Sequence, residues 1–335
     1  MNILYLGNKD KYGYSYYQYS IIKKRYKKID FIEIKRLNFY TYLLSILSWH
    51  INLKFFDKII YISLKNVIKK KYDLVYIHNE NLLGLRSINF LKSISKKTFF
   101  YCPDNPFVKR DKYRWKLIVN NLKLFDLVIF MQKNRLKYCK KFGIKNVIWI
   151  PPTFKIKEHY NNLEKKKIKN DIIIIATYFP ERGKLASLLF KNNLKLKIFG
   201  NYWNRFQEYS RYKQHIKPKV TSDKKYVHLI KNSKISICLP SIKNDDDITN
   251  RSFEIPYIGA LLVAKKTKTH EIFFKNKKNV IFFRDLNECV VEIKKILKNE
   301  GLRQRIALNG HKHIKKISKN LSFENNFIKI IKFYF

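Results

Sequence analysis

Acidic residues are scarce in this chain. Against 71 Lys and Arg there are 25 Asp and Glu, a formal net charge of +46 over 335 residues. The lysines run along the whole length, so a Lys-, Ile-, Asn- and Tyr-rich coding bias accounts for part of the excess. A solvated basic face is the plain reading. The functional readings are an anionic membrane surface, an anionic acceptor or nucleic acid. Nucleic acid is the weakest, because there is no zinc spacing, no RNP-like run and no compact basic helix to enter a groove. Cysteine is also sparse. Cys102, Cys139, Cys238 and Cys289 stand alone without a CxxC pair. They imply neither a zinc site nor a disulfide framework, and they fit a reducing, cytoplasmic setting. The N-terminus, MNILYLGNKDKYGYS, lacks a basic segment followed by an apolar run and reads as an opening strand. No apolar run is long enough to span a bilayer. The nearest is the 17-residue segment 37–53 (LNFYTYLLSILSWHINL), which has no charged residue but holds Asn38, Thr41, Ser45, Ser48, His50 and Asn52. It predicts a helix that packs into the core or lies on a membrane surface.

What is present suffices for two cores. The chain is 46% hydrophobic and 16% aromatic, and its length exceeds one ordinary domain. Short apolar runs alternate with longer amphipathic stretches, which predicts parallel α/β sheets. In the first half the strand-like runs are 2–6, 30–34, 73–78, 97–102, 126–131 and 146–150. Several are apolar at nearly every position, as expected when helices cover both sheet faces. Helical stretches include SINFLKSISKK and KNRLKYCKKFG, the latter ending at Gly143. After Pro151 and Pro152 a Lys-rich polar stretch, 153–169, reads as a linker. The second half restarts with strands at 171–175, 194–199, 234–239, 260–264 and 279–283, and with helices in SDKKYVHLIKN, RSFEIPYIG, LNECVVEIKKILKN and two terminal stretches. The expected layout is a first doubly wound domain over 1–152, a linker over 153–169, a second domain over 170–318, and a helix over 319–335 that packs back towards the first domain.

Two segments of the second half carry chemistry. In ATYFPERGKLASLLF (176–190) a strand ends, a loop carries Arg182 and Gly183, and a helix begins. A guanidinium and free helix amides at a strand's carboxyl end suit a diphosphate. An ordinary strand–loop–helix joint with a surface arginine is the alternative. In NDDDITNRSFEIPYIGALLVA (244–264) Asp246 and Glu254 stand eight apart, with a helix expected from near Asn250. Glu254, one turn in, could accept hydrogen bonds from a vicinal diol such as a ribose. Alternatively the acids cap the helix and favour its dipole.

In this order the motifs resemble the group 1 glycosyl transferases, and within them the CgeB-like (spore maturation) branch. The resemblance rests on the Arg182 loop, on LKIFGNYW with Gly200 and Trp203, on YVHLIKNSKISICL, and on RSFEIPYIGALLVA. The stretch from Thr269 to Leu297 and LRQRIALNGHKHI follow in register. It covers about 171–325. In the first half YCPDNPF, with Asp104, Asn105 and Pro106, and NVIWIPPTF are similar more loosely.

The resemblance implies a GT-B fold, two Rossmann-like domains facing each other across a cleft, with donor on the C-terminal and acceptor on the N-terminal domain. Glu254 matches the acid that grips the donor ribose, and Asp246 falls where an acid meets the transferred sugar. Asp replaces Glu there, and no Gly-rich run follows. Arg182 matches the base that neutralises the diphosphate, with Lys184 a second candidate. Arg251 and Thr249 belong to the donor side, and Gly200 would let the backbone approach the nucleotide. Asp104, His78 and Asn105 are the acceptor-side candidates, with Asp104 the candidate catalytic base. For each, a loop or capping role is the alternative. No metal or other cofactor is expected beyond the nucleotide-diphosphate-sugar donor. The implied activity is transfer of a sugar to an acceptor hydroxyl, with retention, plausibly in cell-envelope glycan or glycolipid synthesis, in the cytoplasm or on the inner membrane face. A GT-B nucleotide-sugar epimerase and a non-catalytic basic nucleotide- or polyanion-binding protein are the alternatives.

Overall fold

The computed structural model describes every residue except 12, 54–55 and 153–167. Most of the expected linker therefore lies outside the described residues. The chain divides into two compact units. Unit 1 holds Met1–Pro152 with Lys243–Asp245 and Asn326–Phe335, and unit 2 holds Thr153–Ile242 and Asp246–Asn325.

Unit 1 is built on strands β1 (Ile3–Leu6), β2 (Ile29–Ile32), β3 (Tyr72–His78), β4 (Ser95–Cys102), β5 (Leu127–Phe130) and β6 (Val147–Trp149), in the order β2-β1-β3-β4-β5-β6. Every neighbouring pair is parallel. Its helices are α1 (Tyr14–Arg25), α2 (Phe39–Leu47), α3 (Asp57–Val67), α4 (Leu85–Ser93), α5 (Lys116–Val119) and α6 (Leu136–Cys139). One sheet face, with Leu4, Val75, Phe100 and Val128, packs on Leu44 of α2, Ile60 and Leu64 of α3 and Ile88 of α4. The other face is aromatic. Tyr5 stacks on Tyr76 with ring centroids 5.4 Å apart. Phe327 and Tyr334 of the last helix close over it, against Tyr76 and Phe99, at 5.6 and 5.0 Å. Strands apolar on both sides need cover on both sides, and the chain's terminus supplies part of it here.

Unit 2 repeats the plan with β7 (Asn170–Ile175), β8 (Leu196–Phe199), β9 (Ile216–Lys217), β10 (Ser233–Cys238), β11 (Leu261–Lys265) and β12 (Ile281–Phe283), in the order β12-β11-β10-β7-β8-β9, again all parallel. Its helices are α7 (Pro180–Lys191), α8 (Tyr209–Tyr212), α9 (Asp223–Lys231), α10 (Asn250–Ile258), α11 (Lys268–Phe273), α12 (Leu286–Leu297) and α13 (Glu300–Ile317); α14 (Phe323–Tyr334) ends the chain. Alternate strand residues serve alternate faces. Ile235, Ile237 and Val263 meet α7 and α12 on one side, while Cys238, Leu262 and Ala264 meet α9, α10 and α13 on the other.

Three local expectations change. β9 is a two-residue edge strand, too short to leave a pattern in the sequence. The expected helix over SINFLKSISKK stops at Ser93, because Ser95 and Lys97 pair with Tyr72 and Leu74 and so belong to β4. KNRLKYCKKFG keeps only a 3-10 turn and the short α6, with Gly143 at φ +65° beyond it.

In each sheet the chain winds outward one way, returns to the first strand and continues the other way. That switch lies between β1 and β3 in unit 1 and between β7 and β10 in unit 2. The connecting loops part there, and in open α/β sheets that is where ligands bind, at the strands' carboxyl ends.

Candidate active site

At the unit 2 switch point one side chain bridges the ends of β7 and β10. Arg182 is buried, and its Nη1 donates to the carbonyl of Thr177, just past β7, at 2.8 Å. Its Nε and Nη2 donate to the carbonyl of Leu239, just past β10, at 3.2 and 2.7 Å. Burial, and then the nearby charge of Arg251, push its pKa down to about 10. Among the described residues neither arginine has an ion-pair partner, and Arg251 is half-buried. Two cations held close together favour an anion, although the charges of Glu181 and Asp246 also act on Arg182.

Arg182 is in the first turn of α7, not on the preceding loop as expected. The free helix amides are largely absent too. Pro180 has no N–H, and the amides of Arg182 and Gly183 both donate to Phe179's carbonyl, at 2.9 and 3.0 Å. Positive charge at this strand end thus comes from guanidinium groups rather than a bare helix terminus. Lys184, on the same helix, is exposed.

α10 begins at Asn250 behind Thr249 and ends at Gly259, whose φ of +98° is a left-handed cap. Glu254 lies one turn in, half-buried, and its Oε2 accepts from the Tyr226 hydroxyl of α9 at 2.7 Å. That contact orients the carboxylate. Thr249 donates its amide to Ser252 Oγ at 3.2 Å, and its hydroxyl lies 3.2 Å from Cys238 Sγ. Beneath it, Ser252 Oγ is 2.8 Å from His270 Nε2, and His270 Nδ1 is 2.8 Å from the Lys265 carbonyl. A carbonyl only accepts, so Nδ1 carries the proton and Ser252 donates to Nε2. This buried serine–histidine pair holds the start of α10 in place.

The three consecutive acids diverge. Asp245, at φ +52°, pairs with Lys137 at 3.2 Å inside unit 1. Asp247 accepts from the Thr269 hydroxyl at 3.0 Å, while its carbonyl accepts from Thr267 at 2.7 Å. Asp246 donates its amide to the Ser241 carbonyl at 3.0 Å, and its charge acts on Arg182.

Gly200 is already required by the chain itself. A Cβ there would sit 1.9 Å from the Ala176 carbonyl oxygen, which also accepts from Trp203 Nε1 at 2.8 Å. The glycine lets the ends of β7 and β8 pass at close range.

In unit 1 the carboxyl ends of β1, β2 and β3 open onto a cavity of about 620 Å³, lined among others by Asn8, Glu33, His78, Asn79 and Glu80. Trp49 and Arg114 also line it, the guanidinium 4.6 Å from the indole ring. His78 stacks on Tyr101 at 5.2 Å, and its buried Nε2 has no hydrogen-bond partner among the described residues. Burial pushes its pKa down to about 4, against the pull of Asp104. Burial likewise raises the Glu80 carboxyl above its usual range.

Asp104 and Asn105 stand differently. Asp104 accepts from Asn79 at 2.9 Å and from Arg110 at 3.3 Å, so both oxygens are engaged. Asn105 is fully buried, and its amide and Nδ2 donate to Oδ1 and the carbonyl of Asn244, both at 3.2 Å. It clamps the 243–245 segment and is closed to an acceptor. Sequence reasoning had not picked out Tyr226, Glu80 or Arg114. Glu80 was within reach, since it follows β3 just as His78 ends it; the other two are joined to the site only by packing.

The two neutral histidines set a pH dependence. His270 also has its pKa pushed to about 4 by burial, from 6.5, as does His78. The unfolded chain therefore takes up protons first as pH falls. Stability is complete above about pH 6.5 and is lost towards pH 4, by about 3 kcal/mol per histidine at most. Urea unfolding is expected to give a lower midpoint at pH 5 than at pH 7. Equal midpoints would mean that neither ring is held neutral.

Residues 182–319 match the family described as Glycosyl transferase-like, a stretch that opens on Arg182 and includes Arg251 and Glu254. No curated protein sequence matches the chain. Solved structures share its fold. Sucrose-phosphate synthase from Thermosynechococcus elongatus has a TM-score of 0.71 at 10% identity, covering 100% of this chain and 98% of that one. Anabaena Alr3699/HepE, solved in complex with UDP-glucose, has a TM-score of 0.67 at 13% identity and covers both chains completely. TarM has a TM-score of 0.61 at 16% identity, covering 82% of this chain and 57% of its own. Residues 182–319 are thus similar to the Glycosyl transferase-like family, and the two parallel sheets share the GT-B fold of these solved structures.

Proposed function

We propose that the protein transfers a sugar from a nucleoside-diphosphate sugar to an acceptor hydroxyl, with retention and without a metal. The observation that carries this reading is the Arg182–Arg251 pair at the unit 2 switch point, two cations of which neither forms an ion pair among the described residues. Cleavage of the sugar–phosphate bond loads negative charge onto the leaving diphosphate. A buried guanidinium already fixed by two carbonyls, as Arg182 is, would stabilise that charge without reorganising. Glu254, held by Tyr226, would take the ribose hydroxyls, and Asp246 would face the transferred sugar. Arg251 and Thr249 would complete the donor side, and Lys184 remains an outer cation. On the acceptor side His78 and Glu80 of the unit 1 cavity are the groups offered, with Asp104 positioning Asn79 and Arg110. The CgeB-like branch and a role in envelope glycan or glycolipid synthesis belong to this reading, and four free, buried cysteines fit a cytoplasmic setting.

A thermal-shift series with nucleoside diphosphates and their sugars tests it. A ligand at 100 times its dissociation constant should stabilise the protein by about 2.7 kcal/mol. No shift with any nucleoside diphosphate would remove the donor site. Metal independence has its own test. Because Asp245, Asp246 and Asp247 diverge, turnover is expected to persist in EDTA. Loss of turnover in EDTA with recovery on manganese would overturn that part. NMR of the product's anomeric proton reads retention or inversion directly.

A further inference from the structure

We infer that the outer face of α2, with the basic cavity beside it, is a docking surface for an anionic phospholipid bilayer. α2 buries Thr41 and Leu44, sets Leu47 partly against the core, and turns its other apolar side chains to solvent. Phe39 is 71% exposed, Tyr40 62% and Tyr42 55%, and Leu43, Ile46 and Trp49 are exposed as well. Residues 39, 42, 43 and 46 recur at helical spacing, so they form one stripe rather than scattered exposures, and Trp49 follows just past the helix end. The whole of 37–53 contains no charged residue. Four of those six residues are aromatic, the type that favours the boundary between headgroups and acyl chains.

Charge beside the stripe selects the partner. Asn52, just beyond it, lines a second unit 1 cavity of about 910 Å³. Lys58, Arg86, Lys109, Lys112 and Lys116 also line that cavity. All five are exposed, and none has an ion-pair partner among the described residues. The acid among the lining residues, Asp57, is taken up by the start of α4, accepting from the amides of Gly84 and Arg86 at 3.1 and 2.6 Å. Residues 1–152 carry 31 Lys and Arg against 9 Asp and Glu. A neutral protein partner would meet the apolar stripe but leave this cavity's charge unanswered. A bilayer with anionic headgroups meets both, the stripe entering the interface and the cations meeting lipid phosphates. The stripe also reaches the acceptor-side cavity, which Ile46 and Trp49 line. Docking would therefore set that opening at the membrane surface.

The test uses the full chain and sedimentation with vesicles of phosphatidylcholine alone or of equimolar phosphatidylcholine and phosphatidylglycerol. Binding is expected to the anionic vesicles only, weakening as salt rises. Phe39→Glu/Tyr42→Glu/Leu43→Glu should weaken it by about tenfold or more. Lys109→Glu/Lys112→Glu should do the same, whereas Lys312→Glu/Lys315→Glu on α13, with an equal change in net charge, should have a much smaller effect. Circular dichroism and the nucleotide-induced thermal shift should be unchanged in all three, which separates docking from folding and from donor binding. Equal losses from both lysine pairs would mean that binding follows net charge alone and overturn the surface. Equal binding to both vesicle types, or full binding by the triple variant, would overturn it as well. Self-association that the triple variant abolishes would assign the stripe to a second copy instead.

Discussion

Replacing Arg182 with alanine is expected to lower kcat by about 10²- to 10³-fold while changing donor affinity much less. The proposal gives Arg182 the task of meeting charge that appears as the diphosphate leaves. An interaction made mainly in the transition state shows in turnover rather than in ground-state binding. Removing one fixed donor from such a site typically costs that much. Arg182 also bonds the carbonyls of Thr177 and Leu239, so alanine leaves two buried acceptors without it. Arg182→Lys is the informative companion. It keeps a charge, but a single ammonium cannot span both carbonyls as the planar guanidinium does, and it should recover only part of the rate. Steady-state kinetics with donor varied, alongside thermal unfolding, read both effects. Turnover within about threefold of wild type in folded Arg182→Ala would end the assignment.

Glu254→Gln is expected to show the opposite pattern. Its carboxylate would be engaged with the ribose before chemistry begins, so donor and nucleoside diphosphate should both bind more weakly, by about ten- to a hundredfold. Glutamine keeps the shape and can still accept from Tyr226 through its carbonyl oxygen. It loses the charge that strengthens the bonds and turns an acceptor into a donor on the other side. Tyr226→Phe separates holding from touching. It leaves the carboxylate in place without its 2.7 Å partner and should weaken nucleotide binding only by a few-fold. Calorimetry with a nucleoside diphosphate measures both variants without any acceptor. Unchanged nucleotide affinity in folded Glu254→Gln would place the ribose elsewhere.

Most of the architecture could be read from pattern. Runs such as Leu74–Ile77 and Ile172–Ile174 are apolar throughout and have to be covered on both faces, which is a local property of the chain. α9, α10 and α12 likewise carried their own start and stop signals, among them Ser222, Thr249, Asp285 and Gly259. Where those signals were shared with a neighbour, local reading failed. Ser95 and Lys97 continue a helical pattern in sequence, yet pairing with β3 claims them for a strand. β9 exists only because β8 offers it an edge.

For the site, residue type and spacing singled out Arg182, Asp246 and Glu254, because a cation at a strand end and an acid one turn into the next helix are features of continuous segments, and the family resemblance added Arg251. What each side chain does is not such a feature. That Arg182 spans the ends of β7 and β10, that Tyr226 holds Glu254, and that His78 faces a cavity without a partner among the described residues follow from distant segments coming together, 57 positions apart for Arg182 and Leu239 and 28 for Tyr226 and Glu254. The same holds for the reverse cases. Asn105 is spent on Asn244, 139 positions away, and Gly200 is required by Ala176. Composition and periodicity are carried by each segment alone and survive without the rest of the chain. Hydrogen-bond partners, burial and the fields that move a pKa exist only once distant segments are packed, so tertiary structure alone decides them.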